Sequence, residues 1–200
     1  GELKLDDTFR VSEKAWRQGG SKMFVDVNSE VSIEDLLRGV IIQSGNDASI
    51  ALAEHIAGSE QTFAQLMNQY AFQLGMHDTH FVNSTGLPHP DHFSTARDMA
   101  TLAIALIRDF PEYYKWHSEK QFTWNGITQY NRNPLLTLGV GADGLKTGHT
   151  REPGYSLTGS AVQALQLAFV EDWVYATGTA LRDAALWPRP ACGGAPALVI

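Results

Sequence analysis

Two short polar triplets combine residue types that suit proton transfer and the binding of negative charge. They are Ser44-Gly45-Asn46 and Lys146-Thr147-Gly148. A serine hydroxyl both donates and accepts hydrogen bonds, so Ser44 suits a proton shuttle, and the Asn46 amide can donate to a carbonyl while accepting from a lysine. Lys146 supplies a positive charge near resident or developing negative charge. The triplets are therefore candidate parts of one catalytic site.

A cationic segment surrounds the second triplet in an otherwise acidic protein. Arg132, Lys146, His149 and Arg151 fall within twenty residues of a chain whose formal net charge is -7. The planar guanidinium of Arg132 is suited to a carboxylate, and the Thr147 hydroxyl can donate to the same group. Taken with the triplets, this pattern predicts a carboxylate-binding cluster at Arg132 and Lys146, whereas Arg151 is interpreted as a solvated surface cation.

Each triplet alone is a weak signal. A Ser-Gly-Asn sequence is also typical of a turn between helices, where the polar side chains bind local backbone, and a Lys-Thr-Gly sequence fits an exposed turn beside a strand. Together with S-x-x-K, however, such triplets are the signature of penicillin-binding proteins and class A β-lactamases.

The sequences around the triplets extend this match. The chain resembles the D-alanyl-D-alanine carboxypeptidase group of low-molecular-mass penicillin-binding proteins (peptidase S11 type) from about residue 1 to residue 162. The similar segments are Leu5-Asp6-Asp7, Leu37-Arg38-Gly39, Gln43-Ser44-Gly45-Asn46-Asp47-Ala48, Ser94-Thr95-Ala96-Arg97-Asp98-Met99, Phe122-Thr123-Trp124-Asn125-Gly126, Asn131-Arg132-Asn133 and Gly144-Leu145-Lys146-Thr147-Gly148-His149-Thr150.

The resemblance implies an enzyme and its partners. It implies a serine-type hydrolase that removes the terminal D-alanine from peptidoglycan pentapeptide stems through an acyl-enzyme, without a cofactor. β-Lactam antibiotics would be covalent inhibitors of the complete protein. The implied location is the bacterial periplasm or the outer face of the cytoplasmic membrane, with membrane attachment only through an anchor not present in this chain.

The resemblance also implies roles for individual residues. Ser44, Asn46 and Lys146 correspond to catalytic positions. Arg132 and Thr147 correspond to residues that hold the terminal carboxylate of the substrate. Gly148 and His149 complete the implied substrate site, where the backbone N–H of His149 is one donor of the oxyanion hole and its side chain need not take part.

The nucleophile motif of the family does not occur in residues 1–200. The nearest sequence is Ser94-Thr95-Ala96-Arg97, but arginine stays protonated and cannot act as a base. In relatives, S-x-x-K begins a helix that ends shortly before the segment matching Leu5-Asp6-Asp7, so we expect it just upstream of Gly1. Residues 1–200 alone are accordingly expected to form no covalent penicillin adduct and to have low stability.

The resemblance implies a mixed α and β fold of the β-lactamase/transpeptidase type, with a helical lobe and an antiparallel sheet lobe that is incomplete here. Residues 1–162 are expected to form this partial domain, with the helical lobe at about 30–110 and the hairpin and Lys-Thr-Gly region at about 120–162. The Ala- and Pro-rich tail, residues 163–200, diverges from the family and matches no recognisable element.

Local patterns predict the individual elements. Residues 1–31 are expected to be loops and short extended pieces. Helices are expected from Ser32 to about Gly39, from Asp47 to Gly58, from Glu60 to Leu74 with Gly75 as the C-cap, and from Thr95 to Asp109 with Ser94 as the N-cap. Asn125-Gly126 predicts a β-hairpin, and residues 155–162 predict a strand.

Composition excludes several other classes. With 44% hydrophobic and 18% charged residues the chain has an ordinary globular composition, and its net charge of -7 argues against binding nucleic acid or an anionic membrane. Cys192 is the single cysteine, which excludes an intramolecular disulfide. No metal-ligand spacing is present, and the remaining histidines are predicted at the surface or in loops: His55, His77, His80, His89, His92 and His117.

Two alternatives stay open from the sequence. A class A β-lactamase usually has aspartate at the position of Gly45 and a glutamate-bearing loop between the triplets, whereas residues 76–93 contain no glutamate. The second alternative is an inactive fragment or a non-catalytic binding module that holds half of a site.

Overall fold

The computed structural model describes residues 4–150, 154–159 and 197–198. The helices are α1 (Glu13–Arg17), α2 (Ile33–Gln43), α3 (Asn46–Ala57), α4 (Glu60–Gln73), α5 (Ala96–Asp109) and α6 (Pro111–Tyr114). Short 3₁₀ turns follow at Lys115–Ser118 and Pro134–Leu136. The strands are β1 (Thr8–Arg10), β2 (Glu30–Ser32), β3 (Ser94–Thr95), β4 (Gln121–Trp124), β5 (Ile127–Tyr130), β6 (Leu145–Thr150), β7 (Gly154–Gly159) and β8 (Ala197–Leu198).

The hydrophobic core lies between β1, β2 and the first three helices. Its buried residues come from the N-terminal segment and from one face each of α2 and α3, and include Val11, Met23, Val31, Leu36 and Ile50. Phe122 and Trp124 of β4 are partly buried and pack against this cluster. The β4–β5 hairpin is thus held against the helical part of the fold.

Helix α2 continues through Gly39, where the sequence predicted an end or an interruption. Ser32 caps its first turn, because the Ser32 Oγ accepts from the Asp35 N–H at 3.1 Å. A Cβ built on Gly39 would lie only 2.3 Å from the Met23 Sδ. Glycine is therefore required here for close packing against a buried methionine, and the prediction of a helix end was wrong.

Two further boundaries differ from the predictions at the N-terminal ends of helices. Thr95 rather than Ser94 caps α5, since its Oγ1 accepts from the Asp98 N–H at 3.1 Å. Ser94 instead belongs to β3. Helix α1 was not predicted from the sequence. It begins after Ser12, whose Oγ accepts from the Ala15 N–H at 3.0 Å.

The described strands form four separate antiparallel pairs: β1 with β2, β3 with β8, β4 with β5, and β6 with β7. The predicted hairpin at Asn125-Gly126 is confirmed, and both turn residues have positive φ, 46° and 76°. In the β6–β7 pair, Thr147 lies opposite Leu157 and Gly148 opposite Ser156. Of the predicted strand at 155–162, residues 160–162 lie outside the described residues.

The tail contributes one described element. Ala197 pairs with Thr95 and Leu198 with Ser94, so the tail is not without assignable structure as the sequence had suggested. The proposed boundaries of the lobes stay predictions, and the rest of 160–200 lies outside the described residues. None of the described helices is long and apolar enough to span a membrane.

Candidate active site

Ser44 lies at the junction between α2 and α3 in an uncommon backbone conformation. It is the C-cap of α2 with φ 56° and ψ 36°, in the left-handed region, which costs a non-glycine residue about 1–2 kcal/mol. The Gly45 N–H donates to the Gly39 carbonyl at 3.0 Å and closes the end of the helix. The hydroxyl of Ser44 is therefore presented from a sharp, hydrogen-bonded corner.

Asp47 fixes this corner from inside the protein. Its carboxylate, in a residue 1% exposed, accepts from the backbone N–H groups of Met23, Phe24 and Val25 at 2.8, 2.9 and 3.2 Å. A Cβ on Gly45 would lie 3.0 Å from both the Met23 nitrogen and the Asp47 Oδ1. The middle residue of the first triplet is thus glycine because the loop segment 23–25 passes directly against it.

Asn46 begins α3 beside Ser44 and is half-buried. Its side-chain nitrogen donates to the Gly19 carbonyl at 3.0 Å. A Cβ on the neighbouring Gly20 would lie 2.6 Å from that nitrogen. The two-glycine segment after α1 therefore determines where the Asn46 amide lies.

Lys146 lies on β6, and its ammonium reaches the first triplet. The Lys146 Nζ donates to the Ser44 Oγ and, at 2.7 Å, to the Thr147 carbonyl oxygen. Because the ammonium occupies a lone pair of the Ser44 oxygen, the hydroxyl proton is directed away from Lys146 and can be passed to another acceptor. The structure therefore brings together one residue from each triplet.

The surroundings of Lys146 disfavour its charged form. Burial, and to a lesser extent the nearby charge of Arg132, together lower the pKa of Lys146 from 10.5 to about 8. His117 is also within electrostatic reach: burial lowers its pKa first, and the charge of Lys146 lowers it as well. The site thus places two cationic groups, Lys146 and Arg132, within electrostatic reach of each other in an acidic protein.

The other predicted site residues lie next to Lys146. Arg132 is exposed between β5 and the 3₁₀ turn at Pro134–Leu136. Thr147 and Gly148 follow on β6 and are half-buried, whereas the His149 side chain is exposed. The role of the His149 backbone N–H in an oxyanion hole stays a prediction.

Sequence reasoning missed several supporting residues. The Tyr114 hydroxyl donates to the Asp143 Oδ1 at 2.8 Å, and the Asn133 Nδ2 donates to the Gly144 carbonyl at 3.0 Å, both just before β6. The prediction that the histidines are surface or loop residues was wrong for His117, which is only 6% exposed and lies in the 3₁₀ turn at Lys115–Ser118. His92 lies in a loop as predicted, although it is only 3% exposed. Within the described residues, no three His, Cys, Asp or Glu side chains are grouped so that they could hold a metal ion.

Solved structures define the class of protein first. The crystal structure of penicillin binding protein 5 from Haemophilus influenzae matches with a TM-score of 0.76 and 46% identity, over 81% of this chain and 49% of that chain. The D-alanyl-D-alanine carboxypeptidase DacD from Francisella tularensis matches with a TM-score of 0.78 and 37% identity, over 80% and 51%. The predicted fold class, that of the penicillin-binding and transpeptidase proteins, is confirmed.

The family follows from sequence relatives. The family model described as D-alanyl-D-alanine carboxypeptidase (peptidase S11) matches residues 1–170, and the chain belongs to that family. It is 50% identical over 169 residues to DacC of Escherichia coli K12 and 46% identical over 174 residues to DacA of Haemophilus influenzae. These alignments cover 81% and 85% of this chain, which spans 42% and 44% of the length of those relatives.

Proposed function

We propose that the protein is a serine-type D-alanyl-D-alanine carboxypeptidase that removes the terminal D-alanine from peptidoglycan pentapeptide stems. Acylation breaks the amide bond between the two D-alanines, releases free D-alanine and leaves an ester on a serine; water then hydrolyses the ester. The nucleophilic serine and its lysine base belong to the S-x-x-K motif, which does not occur in residues 1–200.

The contact between Lys146 and Ser44 carries this proposal. Acyl transfer to a serine needs a proton path to the leaving nitrogen and a positive charge that stabilises the developing oxyanion. Ser44 provides a hydroxyl whose oxygen accepts from Lys146, so its proton is available for the leaving group. Asn46 lies two positions after Ser44, in the first turn of α3, and its amide would bind a substrate carbonyl.

Recognition of the substrate end is assigned to the cationic side of the site. Arg132 and the Thr147 hydroxyl would hold the terminal carboxylate, since a guanidinium and a hydroxyl are both donors to that group. Gly148 and the backbone N–H of His149 would line the scissile carbonyl. Arg132 is exposed and Thr147 is half-buried, which supports the binding of a ligand on this side.

The partners and location follow from this chemistry. β-Lactams present a reactive amide and a carboxylate in positions similar to those of the peptide end, so they would acylate the complete protein. The substrate is part of the cell wall, which places the protein in the periplasm or at the outer face of the cytoplasmic membrane. Nucleic acid is not an expected partner of a chain with net charge -7.

Release of D-alanine tests the proposal. The product of the complete reading frame containing residues 1–200 should release one D-alanine from each N-acylated L-Lys-D-Ala-D-Ala. It should not turn over a chromogenic cephalosporin at many cycles per second. Rapid cephalosporin turnover would favour a β-lactamase instead, and a folded protein that releases no D-alanine would favour the non-catalytic binding module.

A further inference from the structure

The exposed Arg132 lies between two asparagines whose side chains are tied to separate parts of the fold. The Asn131 Nδ2 donates to the carbonyl oxygens of His117 and Glu119 at 3.2 and 2.9 Å. The Asn131 Oδ1 accepts from the Asn133 N–H at 2.9 Å. The backbone on both sides of Arg132 is therefore fixed to the 3₁₀ turn that precedes β4.

Asn133 connects this segment to β6. It is only 2% exposed, and its Oδ1 accepts from the Leu135 N–H at 3.0 Å while its Nδ2 donates to the Gly144 carbonyl at 3.0 Å. Gly144 precedes Lys146 by two residues. One side chain thus joins the segment that carries Arg132 to the strand that carries Lys146.

Gly144 is also closely packed against Tyr114 and His117. A Cβ built there would lie 3.1 Å from the Tyr114 Oη and 3.2 Å from the His117 Cβ. The Tyr114 hydroxyl in turn holds the Asp143 carboxylate at 2.8 Å. The residues just before β6 therefore contact both Asn133 and the turn that contains Tyr114 and His117. Of these contacts, the one with Asn133 connects β6 to the Arg132 segment.

The hydrogen bond from Asn133 to the Gly144 carbonyl ties the Arg132 segment to β6, and this tie opposes the repulsion between the two cations. The charge of Arg132 disfavours the ammonium form of Lys146, after burial, which is the larger cause of its lowered pKa. Without a mechanical connection, the exposed Arg132 segment would relax away from β6 and reduce that repulsion. A neutral amide that hydrogen-bonds both segments holds the cations together without cancelling their charge.

We infer that Asn131 and Asn133 are positioning residues that fix the separation between Arg132 and Lys146, and that they thereby set specificity for a ligand ending in a free carboxylate. This inference rests on the proposed function, because it takes the substrate carboxylate to bind on this cationic side. Neither asparagine touches the substrate in this arrangement; both act through Arg132 and Lys146.

Two variants isolate the tie. Asn133→Ala removes both side-chain hydrogen bonds. Asn133→Ser keeps a hydroxyl acceptor for the Leu135 N–H but is too short to reach the Gly144 carbonyl, so it removes only the tie. Asn68→Ala is the matched control, because Asn68 also makes one donor and one acceptor bond to backbone, to the Phe81 O and N at 2.7 Å each.

The experiment compares two ligands in the product of the complete reading frame. The probes are diacetyl-L-Lys-D-Ala-D-Ala and its C-terminal amide, with kcat and KM measured for each. In both Asn133 variants, kcat/KM for the free acid should fall about tenfold relative to the amide, since one charge-assisted contact is lost. NMR titration of labelled lysine should show the Lys146 pKa rising above about 8 but staying below 10.5, because its burial remains. The Asn68 variant should change neither quantity.

The outcomes separate the two proposals. Suppose that the wild-type protein prefers the acid and that the Asn133 variants keep both this preference and the low Lys146 pKa. This result would overturn the inference and leave the proposed function standing. A wild-type protein that does not distinguish acid from amide would overturn the carboxylate role of Arg132 and the inference together. Equal loss of activity on both ligands, with an unchanged Lys146 pKa, would show a merely structural role and also overturn the inference.

Discussion

The ammonium of Lys146 donates a hydrogen bond to the hydroxyl of Ser44, although 102 positions separate the two residues in the chain. Ser44 is held by the end of α2, and Lys146 by the start of β6. The contact therefore joins the helical part of the fold to the β6–β7 hairpin. Its chemistry depends on how each end is supported, and the following predictions test those supports.

The first prediction concerns the charge of Lys146. Burial and then the charge of Arg132 lower the Lys146 pKa to about 8. Arg132→Gln removes the second cause, so the pKa should rise but stay below 10.5 because the burial remains. NMR titration of labelled lysine measures this, with Arg17→Gln as a control that lies on the exposed surface. An unchanged Lys146 pKa in Arg132→Gln would show that the two cations are not coupled.

The same pKa predicts how stability depends on pH. The folded protein binds fewer protons at Lys146 than the unfolded chain does between pH 8 and 10.5. Stability rises with pH wherever the unfolded state binds more protons. Burying the charged Lys146 thus lowers the free energy of unfolding by its full amount below pH 8. This destabilisation disappears as the pH rises from 8 to 10.5. Urea titrations should show this rise in the wild-type protein and lose it in Lys146→Met.

A third prediction concerns the carboxylate beneath Ser44. Asp47→Ala leaves the backbone N–H groups of Met23, Phe24 and Val25 without their acceptor. Bonds to a buried charged group are worth about 1.5–3 kcal/mol each and are not additive, so we expect a loss of about 3 kcal/mol or more. The measurement is the urea midpoint. Asp109→Ala, which removes only an exposed contact with Arg108, should leave the midpoint unchanged.

The fourth prediction concerns the middle residue of the first triplet. Gly45 has φ -64°, so alanine is allowed by the backbone, but its Cβ would meet Met23 and Asp47 at 3.0 Å. Overpacking of this kind costs about 1–3 kcal/mol. Gly45→Ala should therefore destabilise the protein and displace Ser44, which slows acylation by penicillin. Gly19→Ala, with no atom within 4 Å of the new Cβ, should not change the unfolding midpoint; equal destabilisation by both would refute the packing explanation.

Local chemistry was sufficient to predict the helices α3, α4 and α5 and the hairpin. Gly58 ends α3 in the left-handed conformation, and Asn125 and Gly126 have the positive φ values that their two-residue turn requires. These features depend on residues adjacent in sequence. The motif residues were also identifiable, because Ser44 and Lys146 belong to recognisable triplets.

Long-range packing explains what the sequence did not reveal. Gly39 reads as a helix end, but Met23 packs against it and the helix continues. The partners of Asp47 lie 22 to 24 positions away, and no periodicity links them. The Asn133 contact with Gly144 likewise joins two loops. The Asp47 and Asn133 side chains bind backbone groups, which every residue carries, so residue types alone do not predict these contacts.

The most direct test of the central claim is a double-mutant cycle on Ser44 and Lys146, measured as the rate of penicillin acylation of the product of the complete reading frame. Ser44→Ala and Lys146→Ala should each slow acylation about tenfold or more, because each removes one charge-assisted bond. The double variant should be little slower than the slower single variant, as expected of residues that act as a unit. Rates that multiply independently, or a Lys146→Ala variant that acylates as fast as the wild type, would contradict the account.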